Sequence, residues 1–177
     1  MVKKMHSKNW KAPTKTPDGA MLEWSVAEPF DSDAFITIMN VIHGRNSRVP
    51  GTVDLEALAK MAVVTDYLMC HEAMELVSRT WIESIGSDLP TLLNRDLVLW
   101  LLVTSVFKNP VRYRQLTRTA ILESEAEVPT LGLPISSKII GDIEEKRQWW
   151  LNDAFTAMYN AADLLRSGSA FATKHAT

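Results

Sequence analysis

The chain has 177 residues, 46% hydrophobic and 23% charged. These are ordinary proportions for a soluble globular protein, and they exclude a disordered tail, a collagen-like repeat and a disulfide-stapled toxin. Nineteen basic and 21 acidic residues leave a formal charge of −2, which supplies no global field for gripping nucleic acid or an anionic membrane.

The first 19 residues carry five lysines and no acid before Asp18, with Pro13, Pro17 and Gly19. They lack the apolar core of a signal peptide. Residues 2–10 can form a short helix with Val2, Met5 and Trp10 on one side, and Lys11 to Gly19 reads as a loop. In the run from Met21 to Glu28, Leu22, Trp24 and Val26 alternate with Glu23 and Ser25. That predicts a half-buried strand stopped by Pro29. No second strand is legible, so its backbone is expected to lie unpaired, with an apolar patch exposed around Leu22, Trp24 and Phe35.

From Asp31 the period becomes helical. Ala34, Phe35, Ile38, Met39 and Ile42 predict a helix capped by Asp31 and stopped by Gly44. Asp54 can cap a second helix striped by Leu55, Leu58, Ala62 and Thr65. A third runs from about His71 to Ile85, with Met74, Val77, Trp81 and Ile85 inward, broken by Ser87–Pro90. The apolar helix 97–107 has Asn94 or Asp96 as its cap. At eleven residues it is shorter than the roughly 20 that cross a membrane. Pro110 opens a further helix with Tyr113, Leu116 and Ala120 inward. The last and longest helix, about Ser136 to Arg166, carries two adjacent apolar stripes. Its broad face predicts packing against the helices near 97–107 and 110–124, with Phe155 buried. Residues 167–177 read as a flexible tail.

No catalytic or cofactor signature is legible. There is no P-loop, no G-x-G-x-x-G, no nucleophile elbow and no C-x-x-C. The four histidines are scattered, so no metal, cofactor or catalytic residue is assigned. A lone thiol, Cys70, fits a reducing compartment and reads as a small hydrophobe at the end of an apolar stripe. Arg112, Arg114 and Arg118 form a basic edge without interleaved aromatics. Trp149 and Trp150 cannot both face inward. They read either as rings on the domain's edge or as an anchor in a protein interface, where tryptophan is enriched.

The segment Asp31–Asn46, read DSDAFITIMNVIHGRN, resembles a helix of fungal BTB/POZ-domain proteins that opens on an alanine–phenylalanine pair and ends in isoleucine–histidine–glycine–arginine. Val53–Lys60 and Asp66–Ala73 are similar to that family's next helix and its exit. Arg95–Trp100, Thr117–Ala120 and Leu131–Pro134 are similar to its helical extension. The resemblance implies a mainly α chain: a BTB/POZ (α+β) half-domain over residues 1–88, lacking the family's first hairpin, helix and strand, then a helical extension over 89–166. It also implies a non-enzymatic protein–protein interaction module in the cytoplasm or nucleus, with an adaptor or oligomerisation role. Candidate interaction residues are Val2, Met5, Trp10, Lys11, Leu22, Trp24, Phe35 and Trp149. Cullin-3 is a partner of many such domains, but Trp10-Lys11-Ala12 stands where cullin-binding members carry a hydrophobic-x-glutamate motif. Self-association is a second expectation. The alternatives are a transcriptional or chromatin regulator touching nucleic acid through basic segments such as Arg45 and Arg48, a non-functional remnant, and an incomplete gene model. An enzyme is the remaining class.

Overall fold

The computed structural model describes residues 14, 15, 19, 22, 23 and 30–167. The chain is mainly helical. Two two-residue strands, β1 (Thr14–Lys15) and β2 (Leu22–Glu23), precede six helices among the described residues: α1 (Ser32–Ile42), α2 (Leu55–Leu68), α3 (His71–Ile85), α4 (Arg95–Val106), α5 (Pro110–Glu123) and α6 (Ser137–Arg166). A single 3₁₀ turn, Asn46–Arg48, links α1 to α2.

The strand around Leu22 is not alone, contrary to expectation. β2 pairs antiparallel with β1, with Lys15 opposite Leu22 and Thr14 opposite Glu23. The segment read as a loop therefore contributes a strand. Between the two strands Gly19 adopts φ +69°, a left-handed conformation that glycine tolerates without a Cβ penalty. The rest of the predicted strand, Trp24 and Val26 included, lies outside the described residues. So do Val2, Met5, Trp10 and Lys11.

Asx side chains set the helix starts. Asp31 accepts from the Ala34 N–H at 3.0 Å, Asp54 from Ala57 at 2.7 Å, Asn94 from Leu97 at 3.0 Å and Asn109 from Arg112 at 3.2 Å. Each satisfies an amide that the first helical turn leaves without a partner. Of the two candidates before α4, Asn94 is the cap. Gly44 follows α1 at φ +66°, as its stop position requires. α2 ends without a glycine: its C-cap, Met69, sits at φ 57°, which strains an L side chain. Met69 is 41% exposed, so its partly buried side chain offsets only part of that strain. Met69→Gly is expected to stabilise the fold by about 0.5–1 kcal/mol in urea titrations.

Asp31 also accepts from Lys60 Nζ of α2 at 2.8 Å. That hydrogen bond, and next the Ala34 amide, hold its carboxyl below the ordinary value. Asn keeps the cap but loses the charge. Because the folded-state pKa is depressed, the benefit of Asp31 over Asp31→Asn is present above the unfolded value of about 3.8. It is lost as pH falls through the folded value. A small stability difference at pH 6 that shrinks as pH falls below the unfolded value, and also with added salt, is the expected result.

α4 lies at the centre. Every residue from Leu97 to Thr104 is buried, which is why that stretch reads as continuously apolar. Its one hydroxyl, on Thr104, donates to the Trp100 carbonyl at 2.7 Å and so is not left orphaned. α2 and α5 pack against α4, and α1 packs against α2 and α3. Ile38, Leu58, Met74, Trp81, Leu101 and Leu116 are all buried in one continuous cluster. That cluster spans the boundary near residue 88. The exposed ion pair between Arg95 Nε and Glu56, 2.6 Å, spans it too.

Phe35 is half-buried and packed against this core. Its ring is partly covered because α1 packs on α2 and α3, and the side chains of Leu22 and Trp24, the other members of the expected patch, lie outside the described residues. Phe30, just before α1, sets its ring edge-on to Tyr67 at 4.7 Å.

Candidate interaction surface

α6 has two unlike halves. Ile140 and Ile143 are buried and Ile139 is partly buried, and this half lies against α5. Burial first, and then the Asp142 carboxylate, push the hydroxyl of Tyr113 on α5 above its ordinary pKa. At the rim, Arg147 grips Glu144 through Nε at 2.9 Å and Nη2 at 2.7 Å, and its Nη1 donates to the Glu125 carbonyl at 3.4 Å. The forked pair holds the Glu144 carboxyl below its ordinary range. It also ties the helix to the loop after α5 where α6 leaves the body.

From Gln148 to Arg166 every residue of α6 is exposed. The expectation that this helix packs along its whole length, with Phe155 in the core, is overturned: Phe155 is 57% exposed and Met158 66%. The reason is length. α6 has 30 residues against 14 in α5, so at 1.5 Å per residue it is about 45 Å long and its support about 21 Å.

The apolar stripe nevertheless continues past the rim. Leu151, Met158 and Leu165 recur at seven-residue steps, with Ala154 and Ala161 between them. Trp149 and Trp150 stand at its start, 61% and 57% exposed, with their rings edge to face at 5.2 Å. Neither ring is in the core and both are only partly covered, which both readings of this pair allow.

A concavity of about 730 Å³ lies between α3 and the α4–α5 corner. Glu72, Glu75, Glu83, Arg79 and Lys108 line it. Arg79 and Glu75 pair across one helical turn at 3.3 Å, a solvated arrangement worth little to stability. No group of three His, Cys, Asp or Glu among the described residues is placed to hold a metal.

Cys70 is half-buried at the N-cap of α3, with its thiol 3.8 Å from the Thr65 carbonyl. Burial pushes the thiol pKa up, which keeps it protonated and weakly nucleophilic. Of the basic edge on α5, Arg112 lays its guanidinium over the Trp100 ring at 5.2 Å. Its charge is thus turned inward, and only Arg114 and Arg118 are exposed. No helix among the described residues is long and apolar enough to cross a membrane.

The chain matches no family model, no curated protein and no solved structure.

Proposed function

We propose that the chain is a non-enzymatic protein–protein interaction module of the BTB/POZ type, and that the exposed half of α6 is its docking face. The observation that carries this reading is the apolar stripe that continues from the packed half of α6 into solvent. A monomer's largest apolar patch is typically about 300–600 Å². At about 100 Å² for each half-exposed large side chain and half that for each alanine, the face from Trp150 to Leu165 presents on the order of 800 Å². That is about what one partner contributes to a standard-size interface. The BTB/POZ assignment rests on the order and spacing of the motifs between Asp31 and Pro134.

The test is the size of the native species in extracts of producing cells, read by size-exclusion chromatography. The wild-type chain is expected to run larger than its monomer. A variant carrying Leu151→Glu, Phe155→Glu and Met158→Glu is expected to run at monomer size with its melting temperature unchanged. Identical elution of the two chains would overturn the docking role of α6.

A further inference from the structure

We infer that the partner of the exposed half of α6 is the same segment of a second copy, laid antiparallel about a two-fold axis level with Thr156. This rests on the reading of that face as a docking surface.

The first argument is the pattern of sizes along the seam. In a heptad frame, the a positions are Leu151, Met158 and Leu165, all large, and the d positions are Ala154 and Ala161, both small. A parallel pair would set a against a and d against d. Its layers would alternate between two crowded large side chains and two alanines facing a gap, which close packing disfavours. An antiparallel pair sets a against d. Leu151 then meets Ala161 of the second copy, and Met158 meets Ala154 of the second copy. These layers each hold one large and one small side chain, Leu165 falls level with Arg147 at the rim, and the two-fold axis repeats every contact, as an isologous interface requires.

The second argument is what flanks the seam. Trp150, Ala157 and Leu164 lie on one side and Phe155 and Ala162 on the other. All are exposed, and no charge enters the face between Trp150 and Leu165. Asp153 and Asp163 lie outside it, so the stretch from Trp150 to Leu165 contributes no charged side chain of its own to the seam, and Arg147, level with Leu165 of the second copy, is already neutralised by Glu144. Apolar flanks widen the contact beyond a two-position seam, which compensates for a run of only about two heptads. The antiparallel register brings Phe155 against Phe155 of the second copy and Trp150 beside Leu164 of the second copy.

The third argument is area. The roughly 800 Å² on each copy matches what a standard interface takes from each partner.

The experiment is light scattering of the purified full chain over a range of concentrations, joined to disulfide trapping in a Cys70→Ser background. The wild type is expected to be a dimer, with Met158→Glu raising the dimer dissociation constant roughly 100-fold or more, because its carboxylate would be buried opposite an alanine. Leu151→Cys combined with Ala161→Cys should give a covalent dimer on mild oxidation, and Leu151→Cys alone should not.

A monomer at every concentration overturns the inference. So does a dimer insensitive to Met158→Glu. A covalent dimer from Leu151→Cys alone overturns the antiparallel register, since only parallel helices bring the two copies of Leu151 together. A monomeric purified chain whose larger species in extracts is still lost in the triple glutamate variant would leave α6 as a docking face for a different protein.

Discussion

Trp81→Ala is expected to be among the most destabilising single substitutions in this chain. The ring is 1% exposed, and its indole N–H donates to the Pro50 carbonyl at 2.8 Å. That bond joins α3 to the turn before α2, 31 positions away in sequence. Removing the ring forfeits its transfer energy and leaves a cavity, a loss of about 3–5 kcal/mol. In a chain of this length that corresponds to a fall in melting temperature of roughly 6–20 °C by scanning calorimetry. Trp81→Phe separates the two contributions. It keeps most of the apolar volume and loses the hydrogen bond, so its cost should be well under half as large. A change in Trp81→Ala below about 1 kcal/mol would be incompatible with a buried ring.

Leu101→Ala and Phe155→Ala form the second expected result, read as a contrast. Leu101 is fully buried on α4, and truncating it should cost about 2–5 kcal/mol. Phe155 is the larger side chain, yet its truncation should change the stability of the monomer by no more than about 0.5 kcal/mol. Urea unfolding of both variants at low protein concentration, where association does not contribute, tests this directly. A Phe155→Ala variant as damaged as Leu101→Ala would place α6 back on the body along its full length.

The physical reason the sequence misleads at Phe155 is specific. A helical period says which side chains share a face. It does not say what covers that face. For α4 this made no difference, because all of its sides are apolar and only burial accommodates that. Ile38, Leu58, Met74, Trp81 and Leu116 were legible because their elements are short enough for one body to cover. The caps at Asp31 and Asp54 were legible because an Asx residue before an apolar period has a definite job, the satisfaction of a free amide.

Two features were not legible for equally definite reasons. Thr14–Lys15 is too short to show alternation, so the partner of Leu22–Glu23 left no trace in hydropathy. The outward fate of Leu151, Met158 and Leu165 depends on the ratio of helix lengths, 30 residues against 14. Periodicity does not contain that ratio. The signal available in advance was the Trp149-Trp150 pair, two large rings on adjacent positions that no single supporting surface could receive.

The division of α6 at Arg147 has a consequence for how the molecule breathes. Backbone bonds from Ile139 to Ile143 can open only with the body. Those from Gln148 to Arg166 are held by the helix alone, and a single helix of about that length is only marginally stable in water. The two halves therefore belong to different cooperative units, and amide hydrogens beyond the Arg147–Glu144 clasp should exchange with solvent long before those of α4. Whatever seats itself on that helix would slow the exchange of the distal amides selectively, leaving the central amides at their own pace. Protection of residues 148–166 is thus a gauge of occupancy that reads the arm without disturbing the core.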